Sequence, residues 1–237
     1  TYDVNTLLRR RGALGLLGGA ALTALAGCAT TATSGGGASA TGSSSTSATA
    51  SATGSATAAA SSAASAAVDS VVPDETAGPY PGDGSNGRNV LDDSGVVRSD
   101  ITTSIGSSEK VAGVPMTINL TVTDSASGYA AMAGAAVYVW HCDAAGNYSM
   151  YSQGATDQTW LRGVTETNAN GTATFTSVFP GCYAGRWPHI HFEVYKSTSD
   201  ATSSGQIVKT SQIALPQAIC ETVYQNTSTY PNSTRNL

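Results

Sequence analysis

Three histidines occur in the 237-residue chain, His141, His189 and His191, and the last two share the run Pro188-His189-Ile190-His191-Phe192. The period of a strand is two, which would place both imidazoles on one face and Ile190, Phe192 and Val194 on the other. Two imidazoles so spaced can reach a single metal ion. The same spacing suits two hydrogen-bonded surface histidines, so by itself it leaves both chemistries open. His141 follows Trp140 in an alternating run and reads as hydrogen-bonded core or a support for the site rather than a ligand.

The elements around these residues read as strands. In Met116-Thr117-Ile118-Asn119-Leu120-Thr121-Val122-Thr123 apolar and polar residues alternate without a break, the pattern of a half-buried strand. Val137 to His141 is β-branched and aromatic, and Thr172 to Phe179 follows the turn signal Asn168-Ala169-Asn170-Gly171. Ile190 to Tyr195 and Ile207 to Leu215 complete the set. No segment has a 3.6-residue period, so the expected fold is all-β, a β-sandwich over residues 71–237.

The preceding residues are of another kind. Arg9-Arg10-Arg11 stands before the uncharged run Gly12 to Ala26, which is short for a membrane span and leads into Leu25-Ala26-Gly27-Cys28. Leu25-Ala26-Gly27-Cys28 resembles a bacterial lipobox, so residues 1–27 are expected to be a Tat-type lipoprotein signal, cut before Cys28, whose thiol is then acylated; an ordinary Sec signal with a chance cysteine is the alternative. Ala29 to Ala67 contains only Ala, Ser, Thr and Gly. It cannot bury enough apolar surface to offset chain entropy, so residues 28–70 are expected to form a disordered tether. As a flexible coil it would hold the domain on the order of 35 Å from its anchor. Because residue 1 is Thr, the primary product is expected to extend beyond it.

Composition narrows the partners. Only 11% of residues are charged, against about 25% in an ordinary globular chain, and the formal net charge is −5. There is no basic excess to neutralise phosphates, which argues against nucleic acid. Membrane contact is expected only through the lipid at Cys28, on the extracellular face of the cell membrane.

Two segments carry a family likeness. Trp140-His141-Cys142-Asp143-Ala144-Ala145-Gly146-Asn147-Tyr148 is followed by Pro180-Gly181-Cys182-Tyr183-Ala184-Gly185-Arg186-Trp187-Pro188-His189-Ile190-His191-Phe192. This resembles the intradiol ring-cleavage dioxygenases, the family of catechol and protocatechuate dioxygenases. Their pattern is a strand ending in Trp, then Gly-x-Tyr, then Pro-Gly-x-Tyr, then Arg-x-x-His-x-His-Phe. Thr76-Ala77-Gly78-Pro79-Tyr80 and Arg98-Ser99-Asp100-Ile101 extend the likeness, which covers roughly residues 74–216.

The resemblance implies that Tyr148, Tyr183, His189 and His191 hold one non-haem Fe(III), and that the substrates are a catechol-type aromatic and O2. It makes Tyr183 the leaving ligand and internal base, Arg186 the group that stabilises developing negative charge, and Gln212 a further residue near the metal. The chemistry agrees: tyrosine has an ordinary pKa of about 10, so a phenolate at neutral pH requires a strong Lewis acid beside it. Tyr80 and Trp140 are candidate walls of the substrate pocket. Only Ala184 and Gly185 separate Tyr183 from Arg186, where the well-known intracellular members carry a long loop, so a more open pocket is expected. The likeness is to an exported, single-domain branch, with no oligomeric state implied.

Other readings stay in view: an exported metal-binding sandwich without turnover, a cupin-like site, and a zinc site made of His141, His189 and His191. The cupin pattern fits poorly, because Glu193 follows His191 by only two residues. Of the domain cysteines, Cys182 and Cys220 are expected to pair in an oxidising compartment, leaving Cys142 free.

Replacing Cys28 with Ser should move the protein from the membrane fraction to the soluble fraction. Unchanged fractionation would contradict a lipid at that residue.

Overall fold

The computed structural model describes residues 70–237. The signal expected in residues 1–27, acylation at Cys28 and most of the tether lie outside the described residues. What is described is all-β with a few short helices. In chain order the strands are β1 (Pro115–Thr121), β2 (Thr123–Asp124), β3 (Ala130–Ala131), β4 (Ala136–Trp140), β5 (Arg162–Glu166), β6 (Thr172–Val178), β7 (His189–Tyr195) and β8 (Ile207–Ala214). Helix α1 (Thr198–Ala201) lies between β7 and β8, and α2 (Gln217–Val223) and α3 (Ser233–Asn236) follow.

A four-stranded antiparallel sheet runs in the order β5-β4-β7-β8, and β1 pairs with β6 in a second sheet. Alternation decides which face each residue meets. Val137 and Val139 of β4, Ile190 of β7 and Ile213 of β8 share one core with Met116, Ile118, Ala173 and Phe175 of the second sheet. The other face, with Ala136, Tyr138, Trp140, Val164 and Tyr195, is closed by Val90, Leu91, Val96 and Ala201. The four-stranded sheet is therefore buried on both sides.

The extended chain before β1 covers both edges of that sheet, where unpaired backbone groups would otherwise invite a further strand. Beside β5, the Arg98 amide donates to Val164 O (2.8 Å) and the Val164 amide to Val96 O (2.9 Å). Beside β8, the Glu75 amide donates to Thr210 O (3.1 Å), Ser211 Oγ donates to Pro73 O (2.8 Å), and Lys209 pairs with Asp74 (2.6 Å).

Several expectations shift in detail. The alternating run from Met116 is divided between β1 and β2, with Val122 between them donating to Gly171 O (2.8 Å). The Asn168–Gly171 turn does form, and it carries the chain from one sheet to the other rather than closing a hairpin. β5 has no clean alternation and opens on a charged residue. Helix α2 is too short to show a period, although Cys220 and Val223, three apart, form its buried side. The expected Cys182–Cys220 disulfide is not formed: Cys142, Cys182 and Cys220 are all free and buried. Cys142 Sγ donates to Gly181 O (3.4 Å) and Cys182 Sγ to Arg186 O (3.5 Å), while Cys220 packs in the core. Each behaves as a small apolar side chain, and none needs a partner.

Phe175 is fully buried between the sheets. Phe175→Ala should cost about 3–5 kcal/mol, the scale of a truncated core aromatic. In a domain of this size that lowers Tm by roughly 10 °C in a thermal melt.

Candidate functional site

On the face of the four-stranded sheet away from the second sheet, antiparallel register lines up one row of side chains. Arg162 of β5 is opposite Trp140 of β4, Trp140 is opposite His191 of β7, and His191 is opposite Gln212 of β8. His189 lies on the same face, two residues before His191, as a strand period requires.

The imidazoles meet through their outer nitrogens: His189 Nε2 and His191 Nε2 are 2.9 Å apart. Burial lowers both rings, His191 to about 3 with the neighbouring His189 adding, so both are neutral near pH 7. His189 Nδ1 lies 2.5 Å from Trp187 O, and since a carbonyl only accepts, Nδ1 carries the proton and Nε2 presents its lone pair. The Tyr148 hydroxyl lies 3.5 Å from that Nε2. The rings of Tyr183 and Tyr148 are 5.7 Å apart, and those of Tyr183 and His189 are 6.0 Å apart.

Two loops bring the tyrosines to the sheet. Asp143 Oδ1 accepts from the amides of Ala145 (2.9 Å) and Asn147 (2.8 Å), shaping the turn that delivers Tyr148. The Pro180–Tyr183 turn is held from the C-terminal helices: Tyr224 Oη donates to Pro180 O (2.9 Å), the Cys182 amide to Ser233 Oγ (2.9 Å) and Asn236 Nδ2 to Cys182 O (3.0 Å). Tyr148 is buried and Tyr183 is half-buried, beside the exposed Ala184 and Gly185. The short turn therefore leaves the second tyrosine accessible.

These residues fit a metal ion. Among the described residues no group of three or more His, Cys, Asp or Glu is placed to hold one. A cation at the paired Nε2 atoms would take its remaining protein donors from the phenols of Tyr148 and Tyr183. Burial raises the Tyr148 phenol far above its ordinary value, and burial also raises Tyr183, with Arg186 opposing. A strong Lewis acid is what would make such oxygens anionic. His191 Nδ1 is buried without a partner. Gly78 (φ 71°) lets the chain pass directly over that ring, since a Cβ there would stand 3.0 Å from His191 Cε1.

The other sequence candidates take distinct places. Arg186 Nη2 donates to Gln212 Oε1 (2.7 Å), and Gln212 Nε2 donates to Thr76 O (2.9 Å), so Gln212 orients the arginine from its position opposite His191. Trp140 is completely buried, stacked on His191 (4.8 Å, 3°) with Tyr138 on its other side (5.0 Å). It backs the His191 ring instead of forming a pocket wall. Tyr80 is half-buried, its ring 4.7 Å from Tyr148, and remains placed as a wall. His141 is spent on the core: Nδ1 donates to Cys142 O (2.8 Å) and Nε2 accepts from Ser177 Oγ (2.8 Å), which leaves no nitrogen for a metal. Arg162, on the same face opposite Trp140, has one mark in the sequence, a lone charge inside Trp160-Leu161-Arg162-Gly163-Val164.

The family model described as "Dioxygenase" matches residues 93–226. An intradiol ring-cleavage dioxygenase from Tetranychus urticae is 28% identical over 58% of this chain, with a TM-score of 0.48, and the match covers 65% of its own length, just under two thirds. The dioxygenase domain of a carbohydrate-binding fusion from Streptomyces sp. SirexAA-E is 24% identical, covering 65% of this chain and 83% of that one, with a TM-score of 0.40. Catechol 1,2-dioxygenase from Acinetobacter sp. ADP1 is 20% identical, covering 49% and 40%, with a TM-score of 0.38. No curated protein matches.

Burial lowers His141 to about 4, below the ordinary value of about 6.5 that it regains on unfolding. Its contribution to stability is therefore complete above about pH 6.5 and is lost as the pH falls toward 4. Melts between pH 7 and 4 should show a smaller acid loss for His141→Gln than for wild type. Equal losses would contradict a buried neutral imidazole.

Proposed function

The chain belongs to the intradiol ring-cleavage dioxygenase family, and on that premise we propose that residues 71–237 form a non-haem Fe(III) dioxygenase. It opens catecholic rings between the two hydroxylated carbons, incorporating both atoms of O2 into muconate-type products. The observation that carries this reading is the meeting of His189 Nε2 and His191 Nε2 at 2.9 Å with the Tyr148 hydroxyl 3.5 Å away and Tyr183 beside them. Two neutral imidazoles and two phenols that need a Lewis acid to ionise are a donor set for a ferric ion.

Bound there, ferric iron would withdraw electron density from a catecholate and couple its oxidation to O2. The chain's own residues do the rest. Held to such an ion, Tyr183, the more exposed tyrosine, would be a phenolate, and that phenolate oxygen takes a catechol proton. Tyr148, enclosed by the sheet and its loop, stays in place. Arg186, held by Gln212, stabilises negative charge developing on the substrate. Tyr80 bounds the ring, and the short Ala184–Gly185 turn leaves the mouth wide. An extracellular location, with the enzyme anchored through Cys28, is supported by the arginine-led apolar run and by Leu25-Ala26-Gly27-Cys28, and Tat export would carry a domain that is already folded and metal-loaded.

Purified protein loaded with Fe(III) should be red to burgundy from tyrosinate-to-iron charge transfer, change colour with catechol, and consume O2. Tyr183→Phe should alter the colour and reduce turnover steeply. Arg186→Ala should keep iron and colour while slowing turnover by about a hundredfold, the scale of losing one charge-stabilising donor. A colourless zinc protein, or cleavage outside the diol, would refute this function.

A further inference from the structure

We propose that Arg162 is a positioning residue of the metal centre, tying the loop that carries Tyr148 and the segment that carries Tyr80 to the sheet that carries His191. The inference rests on the reading of that centre as an iron site. Arg162 is 1% exposed, yet no carboxylate among the described residues pairs with it. A buried cation without an anion is expensive unless its surroundings satisfy every donor, so what satisfies it shows what it holds.

Its partners are the residues that immediately follow the two tyrosines. Nε donates to Ser149 Oγ (2.9 Å) and Nη2 to Ser149 O (3.0 Å), which grips the chain directly after Tyr148. Nη1 donates to Pro81 O (2.9 Å), directly after Tyr80. Nη1 also reaches the Tyr138 hydroxyl (3.2 Å), which itself donates to Pro81 O (2.7 Å). Ser149 Oγ in turn donates to Trp160 O (2.7 Å), two residues before Arg162. Gly82 packs against the guanidinium, where a Cβ would stand 2.9 Å from Nη1.

The surrounding backbone supports the same assignment. Met150 (φ 72°) and Leu161 (φ 57°) hold left-handed conformations with large side chains, a geometry that persists only where neighbours over-determine it. One lies two residues after Tyr148 and the other directly precedes Arg162. The Arg162 carbonyl is in turn fixed by Arg98, whose Nε and Nη2 donate to it at 3.1 and 2.8 Å. In the sheet, Arg162 is opposite Trp140, which stacks on His191. One planar fork thus connects three parts of the site, and a lysine would keep the charge but lose the fork.

The test uses full-length protein loaded with Fe(III): wild type, Arg162→Lys, Ser149→Ala, and Phe175→Ala as a control destabilised on the opposite face of the sheet. Iron affinity by chelator competition, the charge-transfer band and Tm are measured for each. Arg162→Lys and Ser149→Ala should shift the band and weaken iron binding by about ten- to a hundredfold, the usual effect of removing a residue that orients a metal ligand. Phe175→Ala should lower Tm while keeping wild-type band and affinity. If Arg162→Lys does not fold, Ser149→Ala decides by the same criteria. Variants that lose Tm yet keep both iron readouts would overturn the assignment and leave Arg162 a fold residue. A wild type without the band would overturn the iron reading itself, and this inference with it.

Discussion

One row of the four-stranded sheet, Arg162, Trp140, His191 and Gln212, sets the geometry on which the rest depends. Directly opposed residues of antiparallel strands lie close together, so their side chains support one another in sequence. Trp140 lies flat against His191, and Gln212 reaches from the far side of His191 to Arg186. The row is held to this face by what lies behind it. Val137, Val139, Ile190 and Ile213 enter the shared core with the second sheet, and a one-residue slip would exchange those apolar groups for the histidines. Burial on one face thereby fixes the chemistry on the other.

The histidines stand on a rigid strand, and the tyrosines are supplied by loops. Each loop is fastened by hydrogen bonds in place of regular pairing: Asp143 shapes the turn before Tyr148, and residues of α3 and of the chain between α2 and α3 hold the turn before Tyr183. The helices after β8 thus serve the site without contributing a side chain to it. The difference in exposure between the two tyrosines follows from this arrangement. Tyr148 lies beneath its loop and against the sheet, whereas Tyr183 sits at a short exposed turn.

Burial makes these groups specific. It favours the uncharged forms, lowering the imidazoles and raising the phenols from their ordinary values. The same setting makes any buried group that must stay charged costly, which is why the donors of Arg162 meet Ser149, Pro81 and Tyr138.

Strand character, the face shared by His189 and His191 and the tyrosine-bearing motifs were legible in the sequence, because strand alternation and short motifs are local and survive without knowledge of the fold. The same alternation favoured His141 as core, and its bonds to Cys142 O and Ser177 Oγ, which exist only in the fold, took it out of any metal site. Four features were decided only by the tertiary structure. The assignment of Trp140 to backing His191 depends on the register between β4 and β7. The absence of the Cys182–Cys220 bridge depends on where a turn and a seven-residue helix pack. Gln212 holds Arg186 because β8 pairs with β7, and Arg162 serves the site through residues 81 and 149. Sequence determines which side chains alternate along one strand, but which of them meet across strands and loops is set by pairings between residues far apart in the chain, and those exist only once it has folded.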